Sequence, residues 1–141
     1  MDLITTAAGW EFLLRYVHLL AGTTWIGVLY YFNFIQTPFF GTELGGQAKS
    51  AMTRGLVPNA LWWFRWGAMF TLLTGLVMLG IRGSGVTLDI TIGAVLGTLM
   101  FLNVWLIIWP NQKILISSNE QVQSGGEALP EAAAAAPKAG L

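Results

Sequence analysis

Between Arg15 and Gln36 the chain runs without a charged side chain unless His18 is protonated. About 20 residues at a rise of about 1.5 Å each suffice for a helix to cross a hydrocarbon layer about 30 Å thick. Within the run, His18, Gly22, Trp25, Leu29, Asn33 and Gln36 recur at spacings of three and four, which puts them on one helical face. Val17, Leu20, Val28, Tyr31 and Ile35 fall on the other side and suit lipid. A polar, glycine-bearing stripe opposite an apolar one predicts a membrane helix over residues 12–37 whose stripe faces protein. Pro38 and Gly41 are expected to close it.

Two further apolar runs predict spans over residues 60–81 and 88–109. The second span opens on Leu61-Trp62-Trp63-Phe64-Arg65-Trp66, an interfacial aromatic belt around one arginine. Arg65 can snorkel to the headgroups or lie on a tryptophan face. Gly67, Thr71 and Gly75 then repeat every fourth residue, the small-residue pattern that admits a second backbone. The third span carries Gly93 and Gly97, then Asn103, with Trp105 and Trp109 at the far interface and Pro110 where the helix should stop or bend. The short RGSGV turn at residues 82–86 makes spans two and three antiparallel neighbours. The expected closest contact sets Gly67, Thr71 and Gly75 against Gly93 and Gly97.

Between spans one and two, residues 41–58 are expected to form a polar loop, with room for a short surface helix near 47–53. Residues 111–122 are amphipathic enough to continue as a helix outside the membrane. The Gly-, Ala- and Pro-rich tail from Gln123 is expected to be disordered in isolation, or held by a partner. The chain thus divides into a transmembrane domain, residues 1–115, and a tail, residues 116–141. The first helix is expected to be retained, because no basic segment precedes it and no small-residue cleavage site follows it.

Composition sharpens this all-α membrane class. Only 10% of the 141 residues are charged and 55% are hydrophobic, against about 25% charged in soluble domains. Seven basic and seven acidic residues balance, which gives no reason to expect a nucleic-acid partner. With no cysteine, disulfides, thiolate metal sites and covalently attached haem are excluded. One histidine cannot supply bis-histidine ligation without a second chain. Lys49, Arg54, Arg65, Lys113 and Lys138 fall on one side of a three-span layout, Arg15 and Arg82 on the other. This asymmetry predicts a multi-pass protein of the bacterial inner membrane with its C-terminus cytoplasmic and its N-terminus outside.

Three blocks carry a resemblance to a known family: His18, Ala21-Gly22 and Trp25-Ile26-Gly27; then Trp63-Phe64-Arg65-Trp66; then Asn103 with Pro110-Asn111-Gln112-Lys113. In this order they resemble the membrane-embedded N-terminal domain of bacterial cytochrome-c-linked urate oxidases, over about residues 10–115. The resemblance implies that family's helical membrane fold and a link to electron transfer or purine oxidation. Those enzymes carry more helices, more histidines and a C-terminal cytochrome c with a CxxCH motif. The resemblance therefore implies the fold more than the reaction.

The candidate chemistry is sparse. His18 reads either as an axial ligand to a haem b or chlorophyll-type macrocycle, with Gly22, Trp25 and Asn103 around it, or as a hydrogen-bonding group to a neighbouring helix. Asn33, Gln36, Asn103 and Gln112 read as polar packing groups between helices, with a quinone or urate pocket as the sharper alternative. Glu11 and Asp89 sit at helix starts, where carboxylates favour the dipole. With so few titratable groups, the expected function is a non-catalytic accessory subunit of a larger respiratory or photosynthetic membrane complex, a homo- or hetero-oligomer contacting other membrane subunits and lipid. A haem-binding redox subunit and the membrane part of a urate-oxidising system are the alternatives.

Overall fold

In a computed structural model, which describes residues 4–140, every element is helical and three helices are long and apolar enough to cross a membrane. These are α1 (Ala7–Phe40), α2 (Glu43–Gly85) and α3 (Leu88–Gln123); a short α4 (Ala132–Ala135) follows in the tail.

Helix α1 starts where Thr6 caps it, its Oγ1 accepting from the Gly9 N–H at 3.1 Å. Arg15 pairs with Glu11 one turn earlier at 2.6 Å. The helix closes at Gly41, as expected, with Pro38 inside its last turn. A proline ring clashes with the carbonyl four residues back and offers no N–H. The chain absorbs this by widening into a π turn over Tyr31–Gln36, in which the Thr37 N–H reaches back to Phe32 O. Pro110 is treated in the same way. The π turn Asn103–Ile108 precedes it, the Trp109 N–H bonds to Val104 O, and α3 runs on to Gln123.

The expected loop over residues 41–58 is instead the first third of α2. Thr42 caps it through a 3.0 Å bond from the Gly45 N–H, with Glu43 in the first turn. Gly45 is required there, since a Cβ would stand 1.8 Å from Phe39 O. The glycines and Pro58 that suggested a loop are overruled by packing, because Thr53, Val57 and Leu61 form a buried stripe at i, i+4, i+8. Gly41 and Thr42 alone separate α1 from α2.

Helix α2 is the spine. Its longest seam is with α1, along which Gly67 would place a Cβ 3.2 Å from both Ala21 O and Trp25 N. Thr71 faces Gly22, and Gly75 faces His18. The small-residue face of α2 therefore receives α1, not α3 as the sequence suggested. Gly93 and Gly97 have nothing within 4 Å of a notional Cβ. The apolar core gathers towards the π-turn end of α1: Trp25, Phe32, Val57, Leu61, Phe64, Ala68 and Val104, with Phe32 and Phe64 in an edge-to-face pair. Val28 and Tyr31, expected to face lipid, are half-buried against this core. Over Leu88–Leu102, α3 buries no residue.

The tail folds back on α3. Ala135 and Ala139 are buried, Gln112 Nε2 donates to Ala139 O at 2.9 Å, and the Leu129 N–H donates to Ser118 Oγ at 3.0 Å. Alanine, having little side-chain entropy to lose, suits such close docking. The tail thus has its partner in its own chain.

Candidate functional site: a cavity at His18

Where the α1–α2 seam is tight, α3 diverges from it, and a partly enclosed cavity of about 410 Å³ opens between the three helices. That lies within the range of small-ligand pockets, about 300–1,000 Å³. The walls are mostly aliphatic and come chiefly from α2. Gly93, Ala94, Gly97 and Thr98 line the α3 side, His18 and Trp25 the α1 side, and Glu11, Arg15 and Arg82 complete the lining. The glycines that do not pack α3 against α2 are the ones that leave this space.

His18 is half-buried, and its Nδ1 lies 3.1 Å from Thr74 Oγ1 across the helix seam. Thr74 is itself buried and directs its hydroxyl to Phe70 O at 2.6 Å. A hydroxyl has one proton and two lone pairs. With the proton committed to Phe70, Oγ1 accepts from Nδ1–H. In a neutral imidazole this network favours the tautomer with its proton on Nδ1, in which Nε2 is the acceptor, the arrangement that second-shell acceptors give to metal-ligating histidines. Gly75 is the floor beneath the ring, since a Cβ there would lie 3.2 Å from His18 Cε1.

The structure redistributes the other expected site residues. Trp25 lines the cavity and its indole Nε1 is buried without a protein partner. Gly22 faces Thr71, whose side chain would stand 3.8 Å from a Cβ there, and does not line the cavity. Asn103 is exposed and does not line the cavity, because the π turn it begins lies beyond the cavity's end of α3. Asn33 is no interhelical link either. It is exposed and bonds back to Leu29 O at 2.9 Å, while Phe32 takes the core position one residue earlier. Gln36 is 1% exposed, yet neither Oε1 nor Nε2 has a protein partner, so it is not interhelical glue. Gln112 does bond, to the tail.

Arg65 belongs to a second polar locus outside this cavity. Its guanidinium lies 3.5 Å from the Trp109 ring centroid and 5.7 Å from that of Trp105. Thr74 went unremarked in the sequence. It sits between Thr71 and Gly75, but nothing local announces a partner 56 residues away. The spacing of Glu11 and Arg15 allows their pairing, which forms, but the convergence of Arg15 and Arg82 on the cavity depends on how α1 and α2 pair.

Among the described residues no three His, Cys, Asp or Glu side chains converge as a metal site. A metal held by His18 would have to bring its remaining ligands with it, as a tetrapyrrole does. Compared with known proteins, the chain matches no family model, no curated protein and no solved structure.

Proposed function

We propose that the chain is a non-catalytic membrane subunit of an electron-transfer assembly, carrying one tetrapyrrole of the haem b type on His18. The observation that supports this most is the imidazole held by Thr74 in a largely apolar cavity with charged groups, Glu11, Arg15 and Arg82, in its lining. A lone imidazole nitrogen suits a metal whose other positions are already filled, and the glycine wall suits a flat ring. Arg15 and Arg82 would take the ring's carboxylates near the surface, where charge is least costly. When bound, the group supplies one-electron chemistry at a potential set by its axial ligand and surroundings. The chain's own part is to hold Nε2 as an acceptor, exclude water and seat the ring. The resemblance to the urate-oxidase membrane domain fits a setting in membrane electron transfer.

The test is the absorption spectrum of protein purified in mild detergent from a haem-replete host. The expected result is a Soret band in the wild type that His18→Ala removes while helical content is retained. A colourless but fully folded wild-type protein would sink the tetrapyrrole reading. It would leave the plainer one, a packing subunit, favoured by the absence of any buried residue over Leu88–Leu102. Urate turnover with an added electron acceptor would instead argue for an enzyme.

A further inference from the structure

At the opposite end of the bundle from the cavity, two cations meet at one indole. Arg65 of α2 stands 3.5 Å from the Trp109 ring centroid, and Lys113 Nζ of α3 stands 5.6 Å from the same point. Neither has a carboxylate partner, since the one ion pair among the described residues is Arg15–Glu11. Arg65 is half-buried and its Nε has no hydrogen-bond acceptor, while Lys113 is exposed. An indole face offsets part of the cost of such charges, but it removes neither their mutual repulsion nor their unused donors.

Helix rise fixes the depth of this pair. Arg65 lies about 26 Å along α2 from Arg82, and Trp109 lies about 30 Å along α3 from Asp89. With Arg82 and Asp89 at one boundary of the hydrocarbon, Arg65, Trp109 and Lys113 reach the other, at the level of lipid phosphates. Trp62 and Trp63, both exposed, flank Arg65 on α2 as interfacial aromatics. The side is also the one with five of the seven basic residues.

We propose that Arg65 and Lys113, bridged by Trp109, form a seat for the phosphate of an anionic phospholipid. Arg65 supplies a planar fork of donors, Lys113 a mobile point charge, and the tryptophans bind the glycerol and upper acyl region. The net negative headgroup satisfies both cations, which a zwitterionic headgroup does only in part.

The test uses the full-length protein in neutral detergent, supplemented with phosphatidylglycerol or with phosphatidylcholine of the same acyl chains. Lipid retained per protein is counted by native mass spectrometry. Phosphatidylglycerol is expected to be retained in preference, with Lys113→Gln weakening it about fivefold, the worth of one basic side chain near an anionic surface. Arg65→Gln should weaken it further and Arg65→Lys less. Lys49→Gln, a cation on the same side but remote from Trp109 in sequence, should leave it unchanged. Should Arg65→Gln fail to fold, the exposed Lys113 still decides the matter. Equal retention of the two lipids would overturn the proposal, as would equal losses from Lys113→Gln and Lys49→Gln. Inorganic phosphate at matched concentration is expected not to displace the lipid. If it does so one for one, the seat belongs to free phosphate and the lipid assignment fails.

Discussion

Helices α2 and α3 each carry a row of small residues at four-residue spacing, and the two rows meet opposite fates. Gly67, Thr71 and Gly75 are pressed against α1, with main-chain atoms only 3.2 Å from a Cβ at Gly67. Gly93 and Gly97 face the cavity, with nothing within 4 Å. A small-residue row states that something can come close. It does not state what comes. On α2 the occupant is α1, its backbone at Gly67 and its His18 ring at Gly75, and the result is a seam; on α3 the row is left as a wall.

That contrast can be broken most severely at Gly67. Gly67→Val should destabilise the fold by about 3 kcal/mol, because the added atoms meet main chain that cannot rotate away. Unfolding of the detergent-solubilised protein by heat or by sodium dodecyl sulfate would measure it. Leu61→Ala, at a position 1% exposed in the tight end of the bundle, should cost about 2 kcal/mol in the same assay. This is the low end for such a truncation, since lipid is as apolar as the core and lost packing dominates. If Leu61→Ala were neutral, the core described at that end would not be holding the bundle.

Thr74→Val probes the join between seam and cavity. Removing the hydroxyl should cost about 1 kcal/mol, in line with polar contacts between membrane helices. It should also release the His18 tautomer, shifting or broadening any Soret band without abolishing it. An unchanged spectrum would separate Thr74 from the proposed ligand. The smallest stability effect belongs to Gly93→Val, expected to lie within about 0.5 kcal/mol of wild type because the side chain enters open space. It should nevertheless lower tetrapyrrole occupancy by narrowing the cavity. Were Gly93→Val as costly as Gly67→Val, the two rows would be alike and the comparison would fail.

Much of this was written in local pattern. The three apolar runs and the inward side of His18, Trp25 and Gln36 follow from spacing on one helix, whereas the tryptophan on which Arg65 lies, Trp109, belongs to another helix. Errors arose where local and tertiary forces conflict. Residues 43–58 hold three glycines at 45, 46 and 55 and end at Pro58, all of which disfavour helix locally. The buried stripe of Thr53, Val57 and Leu61 outweighs them. A π turn precedes each of Pro38 and Pro110; α1 nevertheless closes at Gly41, just after Pro38, whereas α3 runs on past Pro110 to Gln123.

The sequence by itself determined that three apolar helices form and which side of the first is polar, because hydrophobic length and helical period are properties of a single segment. Only the tertiary structure decided which row of small residues would be filled. It also decided that Thr74 would orient His18, that Arg15 and Arg82 would share a cavity, and that the tail would dock on α3. Each depends on how distant helices cross, and no local period records a crossing.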